Sequence, residues 1–248
     1  MIVIKDENEL AAMRVSGRLA AEVLQALAAA VAPGITTGDL DALARRLIQE
    51  RGATSAFLGY HGYPGTVCVS VNEEVIHGIP GARRIEAGDL VSLDVGVTFG
   101  GFVGDTATTV MVGVIDPELV RLVATTQRAL EAGIAVARAG AHLSDVSSAV
   151  EQAVLAGGCS VVREFVGHGI GRAMHEDPQV PNYGRPGRGP VLRPGMTFCI
   201  EPMVNLGRAE VEVLADNWTV VTRDRRPSAH FEHMIAVREG GADVLTRT

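Results

Sequence analysis

Two segments of this chain are variants of one strand. Ile85-Glu-Ala-Gly-Asp-Leu-Val-Ser-Leu-Asp94 and Leu192-Arg-Pro-Gly-Met-Thr-Phe-Cys-Ile-Glu201 both run from a glycine turn through an apolar stretch to a carboxylate, with Gly88 and Gly195 standing 107 positions apart. Each segment is followed by a second acid, Asp105 or Glu232. Gly34 and Gly140 are separated by 106 positions, as are Asp39 and Asp145, and His61 and His168 by 107. His77-x-x-Pro80 and His175-x-x-Pro178 agree at 98, after a short deletion. A nearly constant offset over most of the chain marks an internal duplication. Such a chain folds as two similar halves, here about 1–113 and 114–248, around a pseudo-two-fold axis.

In each half a pair of helices comes first. Leu10, Met13, Leu19, Val23, Leu27 and Val31 recur at three- and four-residue intervals between about Asp6 and Ala32, a helical period closed by Pro33-Gly34. Thr36-Thr-Gly-Asp39 has the spacing of a capping box and opens a second helix to about Gln49. Asp116-Pro117 opens a third, to about Arg138, with Gly140 ending it, and Ser144-Asp145 starts a fourth through about Leu155. Strands are predicted over Leu90 to Val95, Gly101 to Val112, Met196 to Val204 and Glu210 to Val221. Helices in runs, then alternating strands with turns such as Phe99-Gly-Gly-Phe, predict an α+β fold with an antiparallel sheet. The Pro/Gly-rich stretch Asn182 to Gly195 is a loop inside the second half. No linker divides the chain, and 248 residues suit a single domain.

Alternate residues of a strand share a face, so Asp94 and Asp105 can meet across a hairpin, and so can Glu201 and Glu232. Four carboxylates packed together repel, and some must hold protons. Two divalent cations balance them charge for charge. Hard oxygen donors with an imidazole suit Mn, Fe, Co or Zn, and paired metals activate water for hydrolysis. Taken singly these acids are turn or surface residues. As a set, each beside apolar neighbours (Ser-Leu-Asp-Val, Cys-Ile-Glu-Pro, His-Phe-Glu-His), they read as a metal site.

A net charge of -7 offers no basic field for phosphate backbones, which argues against nucleic acid as the main ligand and against an anionic membrane surface. Cys68, Cys159 and Cys199 are an odd, widely spaced set without a CxxC, as expected of reduced thiols in a cytosol. The start carries acids where a signal peptide carries bases, and no run reaches the roughly 18 apolar residues of a membrane span. The expectation is a soluble cytoplasmic protein.

The segments Tyr60-His-Gly-Tyr-Pro64, Val75-Ile-His-Gly-Ile-Pro80, Gly104-Asp-Thr106, Gly167-His-Gly-Ile-Gly171, His175-Glu-Asp-Pro178, Pro194-Gly-Met-Thr-Phe198, Ile200-Glu-Pro-Met203 and Trp218-Thr-Val-Val221 resemble methionine aminopeptidases of the short bacterial, type I kind. The similarity covers essentially the whole chain. It implies the pita-bread (creatinase/aminopeptidase) fold, a pseudo-two-fold antiparallel sheet with two pairs of helices, in a single catalytic domain. It further implies metal-dependent removal of the initiator methionine from nascent proteins whose second residue is small. The partners so implied are N-termini of nascent polypeptides, with the ribosome as one place to meet them, and the protein is expected to be a monomer.

Carried over position by position, the resemblance makes Asp94, Asp105, His168, Glu201 and Glu232 the ligands of two divalent ions. His77 and His175 become the substrate histidines, the first near the scissile amide and the second on its carbonyl oxygen. Glu201 would also move the proton to the leaving amine. Phe57, Tyr60, Tyr63, Cys68, Met174 and Trp218 fall where the family lines its methionine slot, with Phe57 and Met174 as substitutions there and Ile76 where some relatives have cysteine. Asn72, Glu74 and Ser228 resemble a monovalent-cation site. His61, His142, His230 and His233 are mostly assigned to packing or surface, and Cys199, which shares a strand face with Glu201, to the core.

Three rivals are weaker. X-Pro aminopeptidases and prolidases of the same fold carry an extra N-terminal domain, whereas here the first helix begins almost at once. A non-catalytic peptide-binding member is expected to lose ligands, and all five stand. A two-metal phosphatase calls for Arg or Lys beside the acids.

Overall fold

The computed structural model describes residues 1–247. The first half supplies α1 (Glu7–Ala30), α2 (Thr37–Glu50), β1 (Thr54–Ser55), β2 (Cys68–Val71), β3 (Glu74–Ile76), β4 (Leu90–Phe99) and β5 (Phe102–Met111). The second supplies α3 (Pro117–Val136), α4 (Leu143–Ala156), β6 (Ser160–Val161), β7 (Gly167–Gly169), β8 (Glu176–Val180), β9 (Thr197–Ile200), β10 (Met203–Asn205), β11 (Val211–Val213), β12 (Val220–Thr222), β13 (Ser228–His230), β14 (Glu232–Val237) and β15 (Ala242–Val244).

Local chemistry sets the helix starts. Asp6 accepts the N–H of Glu9 while Glu9 reaches back to Asp6, and Thr36 and Asp39 form the same box at α2. Pro117 opens α3, with the Asp116 carboxylate accepting from Glu118. The fourth helix starts one residue earlier than expected, at Leu143, because the Asp145 carboxylate accepts the N–H of His142 at 2.7 Å. No described helix is long and apolar enough to cross a membrane.

The main sheet has nine strands in the order β1-β4-β5-β14-β9-β7-β8, with β2 added to β4 and β15 to β14, and every pair is antiparallel. Gly100 and Gly101, both at positive φ, make the two-residue turn that keeps β4 and β5 in register over their full lengths. At the seam between the halves β5 pairs β14, Ala107 opposite Glu232 and Thr106 opposite His233.

The duplication is visible in the backbone bonding. Gly34 donates to Ile85 as Gly140 donates to Leu192, and Gly88 donates to Val112 as Gly195 donates to Val237. One sequence equivalence is corrected. Val71 lies opposite Val91 and Gly169 opposite Phe198, so the strand counterpart of His168 is Ser70, not His61. Two strands are also corrected. Met196 to Val204 breaks at Glu201-Pro202, where proline has no N–H for the ladder, leaving β9 and β10. Glu210 to Val221 is a hairpin, β11 and β12, turned by Asp216, which accepts the N–H groups of Trp218 and Thr219.

Both helix pairs lie on one face of the sheet. Ala21, Leu24 and Ala28 of α1 and Gln127, Leu130 and Glu131 of α3 border one cavity with Thr106, Thr108 and His233. Strand alternation therefore turns Asp105 and Glu232 to the opposite face. One core lies under α1 and α2 (Leu24, Leu27, Leu40, Val91, Leu93), another under α3 and α4 (Leu122, Leu130, Val146, Phe198, Ile235).

The first pair packs closely because Gly104 has no side chain: a Cβ there would stand 2.4 Å from the Ser16 carbonyl. Backbone cannot yield as a flexible side chain does. Gly104→Ala is expected to lower the unfolding free energy in urea by about 2–3 kcal/mol, which equilibrium denaturation checks.

Candidate active site

Asp94, Ala107 and Glu232 stand in one row across β4, β5 and β14, and Asp105 occupies the next position on the same face of β5. His168 comes from β7, and Glu201 follows the last residue of β9. The five residues expected as metal ligands thus come together from five neighbouring strands. Nε2 of His168 is 3.6 Å from Asp105 Oδ2 and 3.5 Å from Glu201 Oε1. The ligand atoms of Asp105, His168, Glu232 and also Cys199 lie within 4.8 Å of one another. Cys199 is therefore buried core as expected, but its sulfur faces the acids.

Burial strips these carboxylates of water. It raises Asp94 to about 7 and holds Asp105, Glu201 and Glu232 well above the carboxylate range, where the charges of their neighbours add to the effect. Burial lowers His168 to about 3, so its ring is neutral. Nδ1 lies 3.0 Å from the Gly169 carbonyl and must carry the proton to bond it, which leaves the Nε2 lone pair facing two carboxylates. Asp94 Oδ1, Asp105 Oδ1, Glu201 Oε1 and Glu232 Oε1 are buried without a hydrogen-bond partner. Acceptors that converge with no donor between them fit a cation: oxygens and one imidazole nitrogen are a donor set for divalent first-row metals.

Above this floor is a cavity of about 470 Å³, whose walls include every residue expected in the substrate slot: Phe57, Tyr60, Tyr63, Cys68, Met174 and Trp218. Tyr63 donates to the Gly78 carbonyl at 2.9 Å and stacks edge-on against Trp218 with centroids 5.1 Å apart. Phe57 packs against Gly96, two residues beyond Asp94, where a Cβ would come 2.4 Å from the ring. His77 follows β3 at φ 58, a strained conformation for a non-glycine residue and one that clusters at functional sites. Its ring meets Phe165 edge-on at 5.8 Å, and burial lowers it to about 4. Nδ1 of His175 is 2.7 Å from the Tyr60 hydroxyl, its ring is 4.3 Å from that of His168, and burial lowers its pKa.

Sequence reasoning missed Phe165 and Val166 as wall residues and left His61 outside the site, although it borders the cavity, while Ile76, noted only as a departure from some relatives, also lines it. Phe165 and Val166 directly precede the Gly167-His168 motif, which was the available signal. His230, assigned to packing, is buried with Nε2 4.0 Å from Glu201 Oε2. His142 and His233 do have structural partners, the Gly189 carbonyl and the Thr246 hydroxyl.

Asn72, Glu74 and Ser228 lie together away from this cavity, with Ser228 N–H on the Asn72 carbonyl. Their side chains are already engaged: Asn72 with Asp89 and Leu90, Glu74 with Arg83 and Val71, Ser228 with Val204 and Asn205.

Residues 11–239 match the model of metallopeptidase family M24, and the chain belongs to that family. It is similar to methionine aminopeptidase 1 of Bacillus subtilis, 49% identical over 247 residues that span the whole of both chains. The crystal structure of a methionine aminopeptidase from Thermotoga maritima superposes with a TM-score of 0.98 at 44% identity, covering both chains completely. Pyrococcus furiosus prolidase, at 21% identity and a TM-score of 0.80 over 99% of this chain and 66% of that one, shares the fold alone.

The perturbed groups oppose one another in pH. His77, His168 and His230, depressed from 6.5, withhold their full stabilising contribution until pH exceeds 6.5. The raised carboxylates stabilise the fold below their unfolded values, and that contribution is lost as pH climbs through their folded ones. Above 6.5 only the carboxylate loss is still in progress. Chelator-treated protein is expected to show a Tm that falls between pH 6.5 and 8.5, and added Mn²⁺ to raise Tm most at the alkaline end, as thermal melts will report.

Proposed function

We propose that this chain removes the N-terminal methionine from polypeptides whose second residue is small, acting as one catalytic domain with its two halves meeting at the metal site. The observation that supports this reading is the convergence of unpartnered carboxylate oxygens and the His168 lone pair on the floor of an aromatic-walled cavity. Asp94, Asp105, His168, Glu201 and Glu232 would hold two divalent cations, which suits four carboxylates in charge. A divalent cation bound there supplies Lewis acidity toward water and toward a carbonyl oxygen.

The chain's own groups account for the rest. Only the first residue of a chain brings a free α-amine to the cation-holding floor, and a peptide bond inside a chain has none to offer, so cleavage is confined to the first residue. Phe57, Tyr63, Cys68, Met174 and Trp218 enclose an unbranched apolar side chain, and the polarisable thioether of methionine suits aromatic walls. The Tyr60 hydroxyl donates to Nδ1 of neutral His175, leaving Nε2–H to donate to the scissile carbonyl oxygen as charge builds there. His77 faces the same cavity from the Trp218 side and bonds the amide. Glu201, its pKa raised by burial and by Asp105 and Asp94, takes the proton from the attacking water and returns it to the amide nitrogen as the C–N bond breaks. N-termini of newly made chains are the substrates this chemistry fits.

Hydrolysis of Met-Ala-Ser with added Mn²⁺ or Co²⁺, and none of an X-Pro peptide, is the expected result. Absence of methionine release with every divalent metal would favour a non-catalytic peptide-binding role. Asp105→Ala is expected to abolish turnover and lower bound metal, whereas His175→Ala keeps its metal and loses roughly 100-fold in kcat, the scale of one oxyanion donor. Glu201→Gln should lose both activity and metal, read by steady-state assay and by metal analysis of the same samples.

A further inference from the structure

Residues 171–175 carry Met174 and His175, yet they form no helix or strand until Glu176 opens β8. One carboxylate gathers this turn. Glu176 Oε1 accepts the N–H of Arg172 at 2.9 Å and of Ala173 at 3.3 Å, while Oε2 accepts from Lys5 Nζ at 2.5 Å. The pair is withdrawn from water, its side chains 3% and 15% exposed. Lys5 is itself fixed, since its N–H donates to the Gly195 carbonyl at 2.8 Å in the turn that leads into β9. Gly171 leaves the room for this arrangement: a Cβ there would stand 2.6 Å from both Glu176 Oε1 and Lys5 Cε.

A buried ammonium is tolerated only where its counter-charge stands, so the pair demands one position of its partner. Lys5 meets that demand from 171 positions away, in the short stretch before α1, and does not line the cavity. Glu176, next in the chain to His175, hands the constraint on. From the other side the Tyr60 hydroxyl fixes the His175 ring.

We propose that Lys5 is a positioning residue for His175: it anchors Glu176, Glu176 closes the 172–176 turn, and the turn sets the imidazole against the substrate carbonyl. This rests on the role given to His175 above. The test compares Lys5→Met, Glu176→Gln, the double variant and His175→Ala on Met-Ala-Ser, with bound metal measured for each. Lys5→Met is expected to lower kcat roughly 10- to 100-fold with KM and metal content within about twofold of wild type. The double variant should recover most of that loss, because glutamine keeps the two N–H contacts and no charge is stranded.

Wild-type kcat in Lys5→Met beside a slow His175→Ala would overturn the proposal and leave the role of His175 standing. Normal kcat in His175→Ala would overturn that role, and the proposal with it. Where Lys5→Met does not accumulate folded, Glu176→Gln decides: a fall in kcat at unchanged KM supports the clamp, and wild-type kcat refutes it. Parallel loss of kcat, KM and metal in these variants would mark general damage to the fold and likewise overturn it.

Discussion

Like charge without water is the constraint around which this molecule is organised. Asp94, Asp105, Glu201 and Glu232 face one another on the side of the sheet away from the helices, and one oxygen of each is buried without a donor. Coulomb repulsion in such surroundings is several times stronger than in water, so the groups hold position only on a scaffold that cannot relax. Hydrogen-bonded strands provide it. Four of the five converging residues lie in or directly after β4, β5, β9 and β14, which form one continuous ladder, and the helices pack on the reverse face, leaving this one open to a ligand.

The two halves have kept their backbone and exchanged their side chains. Glycine turns, helix starts and strand-entry hydrogen bonds recur in pairs. The chemistry does not recur in the same way. Asp94 lies inside a ten-residue strand, while Glu201 lies past the end of a four-residue one, at the break enforced by Pro202. Ser70 stands where its counterpart is His168. The first half contributes two short aspartates and much of the apolar wall, the second contributes the reach of two glutamates and the imidazole, and neither contains a complete site.

How much of this was legible in the sequence follows from the range of each signal. Helix limits came out within a residue or two because amphipathic period and capping are local properties, set by residues such as Asp6, Thr36 and Asp116 themselves. The carboxylates were legible because the duplication repeats them. Strand limits were harder. The turn within Glu210 to Val221 depends on Asp216 bonding two N–H groups, and acidic turn residues look alike until folded. Phe165 escaped because it lies outside the family motifs, whereas His61 stands within Tyr60-His-Gly-Tyr-Pro64 and was assigned to packing or surface although it borders the cavity. His230 is buried as a packing residue would be, but its approach to Glu201 was not legible, because nothing near it in the sequence signals an acid that it meets only in the folded chain.

The contact of Phe57 with Gly96 shapes the cavity from behind. The ring rests against bare backbone of the strand that also bears Asp94, so this wall of the cavity is held in place by what is missing at position 96. A methyl group there would stand 2.4 Å from the ring and force it to move, changing the wall without replacing any residue that lines the cavity. One wall of the cavity and one acid of its floor are thus set two residues apart on one strand, and the bore can be altered from outside the chamber.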